Sequence, residues 1–201
     1  MIKRAFDIAV ALLGLMALLP FLPLLAVLIK LDSPGPIFFR QERIGKGFRP
    51  FFIYKFRTML ENASTTGRSI TAGHDPRITR VGHWLRQTKI DELPQLFNVV
   101  KGEMTLVGPR PEVPKYVKLF RKDFEEILQV RPGVTDLASV KYRDEATILG
   151  RAKDPEEEYL RRVLPEKIAL AKTYIQNASF FFDLKLVVDT VVKIFRFGKA
   201  Q

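Results

Sequence analysis

Two adjacent carboxylates, Asp91-Glu92, stand in the stretch Lys89-Ile90-Asp91-Glu92-Leu93-Pro94-Gln95-Leu96-Phe97-Asn98, and Gly108-Pro109-Arg110-Pro111 follows closely. Leu93, Leu96, Phe97 and Val100 recur at i, i+3, i+4 and i+7, the spacing of one apolar helical face. Pro94 suits the first turn of such a helix, where its missing N–H costs nothing. Asp91 and Glu92 then sit at the helix entrance, close to free backbone N–H groups that favour anions. A plain helix cap is the ordinary use of acidic residues there. The chemical alternative is a nucleophile or general base beside a hard-cation ligand. Arg110, between two prolines, is held on a stiff turn. Its planar guanidinium either grips a phosphate bidentately or pairs with Glu92 or Glu112.

Composition narrows the chemistry. With 201 residues the chain is one domain with an appended element, long enough to bury a real core. It has no cysteine and two histidines, His74 and His83, so thiolate metal sites, disulfides and His-based hydrolysis have little material. A net charge of +11 points to an anionic partner, either membrane lipid, nucleotide phosphate or nucleic acid.

The elements that must position these residues begin with an apolar run from Ala5 to Ile29, flanked by Lys3, Arg4 and Lys30. It exceeds the roughly 20 residues that cross a bilayer as a helix. It is too long for a cleaved signal peptide, and no good small-residue cleavage site follows it. A spanning helix and a re-entrant helix that bends back to its own side remain. Pro20 and Pro23 interrupt the run and basic residues flank both ends, which favours the re-entrant form with both termini cytoplasmic. Kinked spanning helices are also tolerated.

After the turn at Asp32-Ser33-Pro34-Gly35-Pro36, residues 37–43 and 48–56 read as strands of a hairpin joined through Gly45-Lys46-Gly47. Residues 62–76 read as a mobile loop. Residues 77–87 and 113–128 read as helices, the first carrying Trp84 and Leu85 inward. Residues 135–142 read as extended, and 155–178 as a charged helical stretch interrupted by Pro165. In 180–197, Leu184, Val187, Val188, Val191, Val192 and Phe195 keep helical spacing with charges mostly opposite. That suits a helix lying in the membrane interface, or one packed in the core. The expected fold class is α+β, mostly helical. A re-entrant membrane helix (1–31) packs on a small mixed cytosol-facing domain (32–201) with a short β-hairpin and interfacial amphipathic helices.

Seven motifs in register carry a family resemblance. They are Lys3-Arg4-Ala5-Phe6-Asp7, the run from Ser33 to Gly45, Tyr54-Lys55-Phe56-Arg57-Thr58-Met59, Asp75-Pro76-Arg77-Ile78-Thr79, Asp91-Glu92-Leu93-Pro94-Gln95, Val107-Gly108-Pro109-Arg110-Pro111, and Arg131-Pro132-Gly133-Val134-Thr135. The chain resembles the bacterial sugar transferases of the monotopic phosphoglycosyl transferase superfamily, in a minimal catalytic form. The resemblance implies an enzyme of the cytoplasmic face of the bacterial inner membrane. Such an enzyme moves a sugar-1-phosphate from a UDP-sugar to polyprenyl (undecaprenyl) phosphate, releases UMP and initiates surface-glycan assembly. It implies Asp91 as nucleophile, through a covalent aspartyl-phosphosugar, and a re-entrant N-terminal helix broken at Pro20 and Pro23.

Glu92 is assigned as ligand of Mg²⁺, which takes oxygen donors and needs only one or two carboxylates beside phosphate and water. Arg110 is the first candidate for substrate phosphate; Lys55, Arg57 and Arg131 are further ones. Arg40 and Arg43 suit lipid headgroups equally well. Two departures stand out: Leu19-Pro20 replaces the family's common Ser-Pro, and Asp136-Leu137-Ala138-Ser139-Val140 replaces Gly-Trp-Ala-Gln-Val, which bears on the donor sugar. The alternative is a non-enzymatic membrane-surface adaptor for anionic lipid. A nucleic-acid binder is disfavoured, because the aromatics accompany apolar runs. The sugar, the acceptor's chain length, the glycan pathway and the oligomeric state, a homodimer included, are left open by the sequence.

Overall fold

The structure is a computed structural model that describes residues 2–61, 70–142 and 145–196. It is α+β and mostly helical. The apolar run forms α1 (Ile2–Leu18), a 3-10 turn (Leu19–Phe21) and α2 (Leu22–Asp32). Pro20 and Pro23 lie in the first turns of the segments they open, where a missing N–H is harmless, so the break falls between Leu18 and Leu22. Together these segments are long and apolar enough to cross a membrane, with 17% of their most apolar window buried in the protein.

The hairpin is present as β1 (Phe38–Ile44) and β2 (Pro50–Phe56), antiparallel with Phe39 opposite Lys55 and Arg43 opposite Phe51. Alternation puts Gln41, Arg43, Ile53 and Lys55 on one face. α3 (Arg80–Thr88) ends at Lys89, whose left-handed conformation (φ +59°) turns the chain into a 3-10 turn, Ile90–Glu92. α4 (Gln95–Lys101) and β3 (Thr105–Val107) follow. α5 (Pro114–Leu119) and α6 (Arg121–Ile127) replace the single helix expected over 113–128, because the chain leaves helical geometry at Phe120. β4 (Gly133–Thr135) pairs in parallel with β3. This pairing brings backbones so close that a Cβ on Gly133 would lie 2.1 Å from the Gly108 nitrogen.

Beyond β4 the expected extended segment is instead a short helix, α7 (Leu137–Lys141). Asp136 explains the difference, since its side chain accepts from the Ser139 N–H as an N-cap. α8 (Glu145–Gly150), α9 (Pro155–Glu158), a π-helical segment (Tyr159–Val163), α10 (Leu164–Asn177) and α11 (Phe180–Arg196) complete the chain. Pro165 does not break the helical stretch but sits in the first turn of α10. The loop expected over 62–76 lies largely outside the described residues, as does the side chain of Phe195.

Three apolar clusters hold this together. One joins α5, α6, the π-helical segment and α10 through Tyr116, Phe124, Ile127, Val163 and Ile168. A second joins α1, β2, α4, β3 and α11 through Ala11, Ile53, Val99, Met104 and Leu186. The third seats the helix break on the domain through Leu18, Leu25, Ile29, Phe56 and Leu85. Trp84, expected inward, is 45% exposed, beside Leu28 and Arg80. On α11, Asp183 and Leu186 face inward, while Phe181, Leu184, Val188, Val191 and Val192 are exposed.

Candidate active site

The Asp91-Glu92 pair sits on the 3-10 turn before α4 rather than inside a helix, and its two carboxylates have opposite surroundings. Asp91 is buried, and its Oδ1 has no hydrogen-bond partner among the described residues. Burial, and then the charge of Glu92, push its carboxyl above the usual carboxylate range, while Lys55, Lys89 and Arg86 pull the other way. Glu92 is gripped by cations. Lys55 Nζ donates to its Oε1 at 2.7 Å, and Arg110 donates to Oε1 at 2.5 Å and to Oε2 at 3.3 Å. Burial works to raise the Glu92 carboxyl, yet Arg110, Lys55 and Lys89 hold it well below its ordinary value.

The pieces arrive from three directions. α4 is laid across β2 by Asn98, whose side chain accepts from the Tyr54 N–H (3.1 Å) and donates to the Phe52 carbonyl (2.7 Å) and to Glu103 (2.8 Å). That buried amide shifts the phase of the helix from the one its apolar spacing suggests. Gln95, Leu96 and Val99 face inward with Asn98, whereas Leu93 and Phe97 are exposed. β2 delivers Lys55, whose ammonium is disfavoured by burial and supported by Glu92. β3 leads through Gly108 and Pro109 to Arg110.

Polar contacts from several elements fix the Arg110 loop. The Arg110 N–H donates to Asp136 Oδ2 (3.3 Å), and its guanidinium reaches Ser139 Oγ at 3.5 Å. Arg43 donates to the Pro111 carbonyl and to Glu112, both at 3.1 Å, and Glu112 also accepts from the Tyr159 hydroxyl at 2.7 Å.

Of the expected site residues, the structure brings together Asp91, Glu92, Lys55 and Arg110. Arg57 is engaged elsewhere. It is buried and donates to the carbonyls of Ile29 (3.1 Å) and Ser33 (2.6 Å), closing the end of α2. Arg131 is exposed and donates to the Gly102 carbonyl at the far end of α4 (2.9 Å). Arg43 does not reach outward to lipid but braces the Pro111 loop. Arg40 is exposed and lies over the Phe52 ring.

Sequence reasoning missed Arg86; it named Glu112 as a candidate partner of Arg110 and Asp136 as a departure bearing on the donor sugar. Arg86 donates to Thr58 Oγ1 (2.9 Å) and its charge acts on Asp91. Glu112 pairs with Arg43 and accepts from Tyr159, while Arg110 closes on Glu92, the other partner the sequence offered. The Asp136 carboxylate is buried and taken up by Ser139 and the Arg110 N–H, so its partners lie within the protein.

Comparison with known proteins adds a family to this geometry. Residues 1–197 match the family described as bacterial sugar transferase. A UDP-N-acetylgalactosamine-undecaprenyl-phosphate N-acetylgalactosaminephosphotransferase of Aeromonas hydrophila is 40% identical over 193 residues, covering 94% of this chain and 43% of that protein. The exopolysaccharide production protein PSS of Rhizobium leguminosarum bv. phaseoli is 39% identical over 99% of this chain and 98% of its own length. A UDP-glucose:undecaprenyl-phosphate glucose-1-phosphate transferase of Escherichia coli (strain K12) is 36% identical, over 97% of this chain and 40% of that protein. The chain thus spans about two fifths of the Aeromonas and Escherichia relatives and nearly the whole of the Rhizobium one. With a match running almost end to end, the chain belongs to the bacterial sugar transferase family.

Proposed function

We propose that the protein transfers a sugar-1-phosphate from a UDP-sugar to polyprenyl phosphate, as the names of its Aeromonas and Escherichia relatives describe for undecaprenyl phosphate. One observation carries the division of labour: of two adjacent carboxylates, Asp91 has a buried oxygen with no partner among the described residues and Glu92 is held by two cations. A nucleophile needs a free, basic oxygen; a group that holds charge in place needs partners.

In the first half-reaction Asp91 Oδ1 attacks the sugar-linked phosphorus of the UDP-sugar. The bond from that phosphorus to the bridging oxygen breaks, and UMP leaves with the electron pair. In the second, an oxygen of polyprenyl phosphate attacks the same phosphorus. The Asp91–phosphorus bond breaks, the carboxylate is restored, and polyprenyl-diphospho-sugar forms. Arg110 and Lys55 supply fixed positive charge where the pyrophosphate must sit. Arg110 carries five N–H donors in a planar fork, so it meets phosphate oxygens while it still holds Glu92.

Glu92 fits a Mg²⁺ role by its donor set. Its Oε2 accepts a long contact from Arg110, 3.3 Å, which leaves lone pairs for one hard cation. Among the described residues no group of three or more acidic or histidine side chains could cage a metal, so substrate phosphate would complete the shell. When bound, Mg²⁺ neutralises charge on the pyrophosphate oxygens as UMP departs.

The N-terminal helix is re-entrant in this reading, at the cytoplasmic face of the bacterial inner membrane with both termini cytoplasmic. The apolar stretch Ile2–Asp32 is 31 residues long. As a straight helix it would run about 46 Å, well beyond the hydrocarbon core of roughly 30 Å. Polar bonds of one domain hold both of its ends. Lys3, Arg4 and Asp7 bind around β3, and Asp32 accepts from the Val81 N–H while Arg57 closes α2. A straight span would put those two sets of partners on opposite faces of the membrane. Tags at residues 1 and 201 are expected on the same side; tags reporting opposite sides refute re-entrance. The exposed apolar stripe of α11 lies in the interface. It runs beside α1, where Phe6 and Phe180 meet edge to face at 5.3 Å.

The deciding assay is UMP release in detergent with Mg²⁺, screening UDP-sugars with and without undecaprenyl phosphate. A stoichiometric UMP burst without acceptor, absent in Asp91→Asn, supports the covalent route. Release that requires acceptor would leave Asp91 as a base in direct transfer. No release from folded protein with any UDP-sugar rejects the activity.

A further inference from the structure

The first turns of α1 carry three polar side chains that the mechanism above does not use, and all three reach the elements that meet at Glu92. Arg4 donates to the Val99 carbonyl (2.5 Å) at the end of α4 and to the Met104 carbonyl (3.1 Å) just before β3. Asp7, buried although it lies in the apolar helix, accepts from the hydroxyl of buried Thr105 in β3. Lys3 donates to the Val107 carbonyl (3.0 Å) at the end of β3 and to the Tyr174 hydroxyl (3.1 Å), and it pairs with Asp183 of α11. The Tyr174 hydroxyl lies 2.9 Å from the Val107 carbonyl and 2.6 Å from Asp183 Oδ1.

α4 follows directly on the turn that bears Asp91 and Glu92, and β3 runs through Gly108 to Arg110. The charged ends of these two paths meet where Arg110 closes on Glu92. A charge-assisted contact of that kind depends on angle and distance to fractions of an ångström. An ionisable side chain placed in an apolar helix is costly unless it is paired, and it is retained where it does a job. We infer that Asp7 and Tyr174 are positioning residues for Arg110. By fixing β3 at Thr105 and Val107 against the first turns of the membrane helix, they set the guanidinium in register with Glu92 and the donor phosphates. Seating of the membrane helix is thereby coupled to the geometry of the phosphate site. The inference rests on the transfer reaction proposed above.

The test removes single hydroxyl groups from the brace in the full chain in detergent. Thr105→Val takes the donor from Asp7, and Tyr174→Phe takes one of two donors from the Val107 carbonyl, Lys3 keeping the other. UMP release is assayed with whichever of UDP-glucose and UDP-N-acetylgalactosamine the wild type consumes. Each variant is expected to lower kcat/KM for the UDP-sugar about three- to tenfold, the loss of one hydrogen bond's worth of positioning, with Thr105→Ser restoring it. The same changes in an Arg110→Lys background are expected to cost less than about twofold, because the residue they position is already altered. A purely structural role would give equal losses in both backgrounds, and that result overturns the inference, as does full activity in both single variants. Amide hydrogen exchange over residues 107–112 gives a readout independent of turnover. Faster exchange there in Thr105→Val and Tyr174→Phe supports the brace even if the wild type releases no UMP; unchanged exchange refutes it.

Discussion

Replacing Lys55 by Met removes one of the two cations on Glu92 and should leave a double signature in rate and pH. The Lys55–Glu92 bond is 2.7 Å long between side chains 18% and 13% exposed, so solvent screens it little. That bond exists in the free enzyme and so cancels from kcat/KM. What Lys55→Met removes from the transition state is a charge-assisted hydrogen bond to the donor pyrophosphate, about 1.5–3 kcal/mol, or roughly 10- to 150-fold in kcat/KM. Arg110 still supplies positive charge to the pyrophosphate, which puts the expectation toward the lower end of that range. The pH response follows from Asp91. Burial and the charge of Glu92 already raise its carboxyl, and Lys55 opposes them, so removing Lys55 raises it further. Attack needs the ionised carboxylate. Activity therefore falls as pH drops through the Asp91 value, and in Lys55→Met that fall begins at a higher pH. The measurement is the donor-only UMP burst rate from about pH 5 to about pH 9 for wild type, Lys55→Met and Lys55→Arg. Lys55→Arg keeps the charge and should keep the acid limb near the wild-type position while losing some rate. An acid limb that stays put or moves to lower pH in Lys55→Met would refute the electrostatic assignment of Asp91.

Four further expectations follow from the same geometry. Asp91→Asn should abolish the UMP burst, yet leave thermal stability unchanged or raised, since the buried Oδ1 has no partner to lose among the described residues. Glu92→Gln should lower stability by about 2–4 kcal/mol by leaving Lys55 and Arg110 under-compensated, and denaturation in detergent with equal midpoints for the two variants would contradict this. Arg57→Met should cost about 2–4 kcal/mol by uncapping the Ile29 and Ser33 carbonyls, with donor KM unchanged for the folded fraction; a large rise in that KM would return Arg57 to the phosphate site. Chelation should stop UMP release and added Mg²⁺ restore it, so turnover that survives exhaustive chelation removes Glu92 from metal binding.

The hairpin, the break at Leu19-Pro20-Phe21 and the two carboxylates are legible because each is written in a few consecutive residues: aromatic-rich strand segments around Gly45-Lys46-Gly47, proline in an apolar run, an acidic pair before Pro94. What is not legible depends on partners far along the chain. Arg57 stands two residues after Lys55 in one motif, yet Lys55 turns to Glu92 and Arg57 to the carbonyls of Ile29 and Ser33. Nothing in the motif separates a cation that meets substrate from one that closes a helix, because both are satisfied by oxygen. The phase of α4 escapes hydropathy for a related reason. Apolar spacing puts Leu93 and Phe97 inside, but the buried Asn98 amide, bonded to Tyr54, Phe52 and Glu103, decides which face turns in.

The polar residues of this fold therefore carry more of its specificity than its apolar spacing does. The apolar clusters tolerate a rotated α4 at modest cost, since Leu93 and Phe97 would bury about as well as Leu96 and Val99. An Asn98 turned away from β2 would bury an amide without partners and strip the Tyr54 N–H of its acceptor, at about 1–3 kcal/mol for each unsatisfied group. The rotation that satisfies Asn98 is the one that carries the Asp91-Glu92 turn against Lys55, so the bond that fixes the helix also assembles the site.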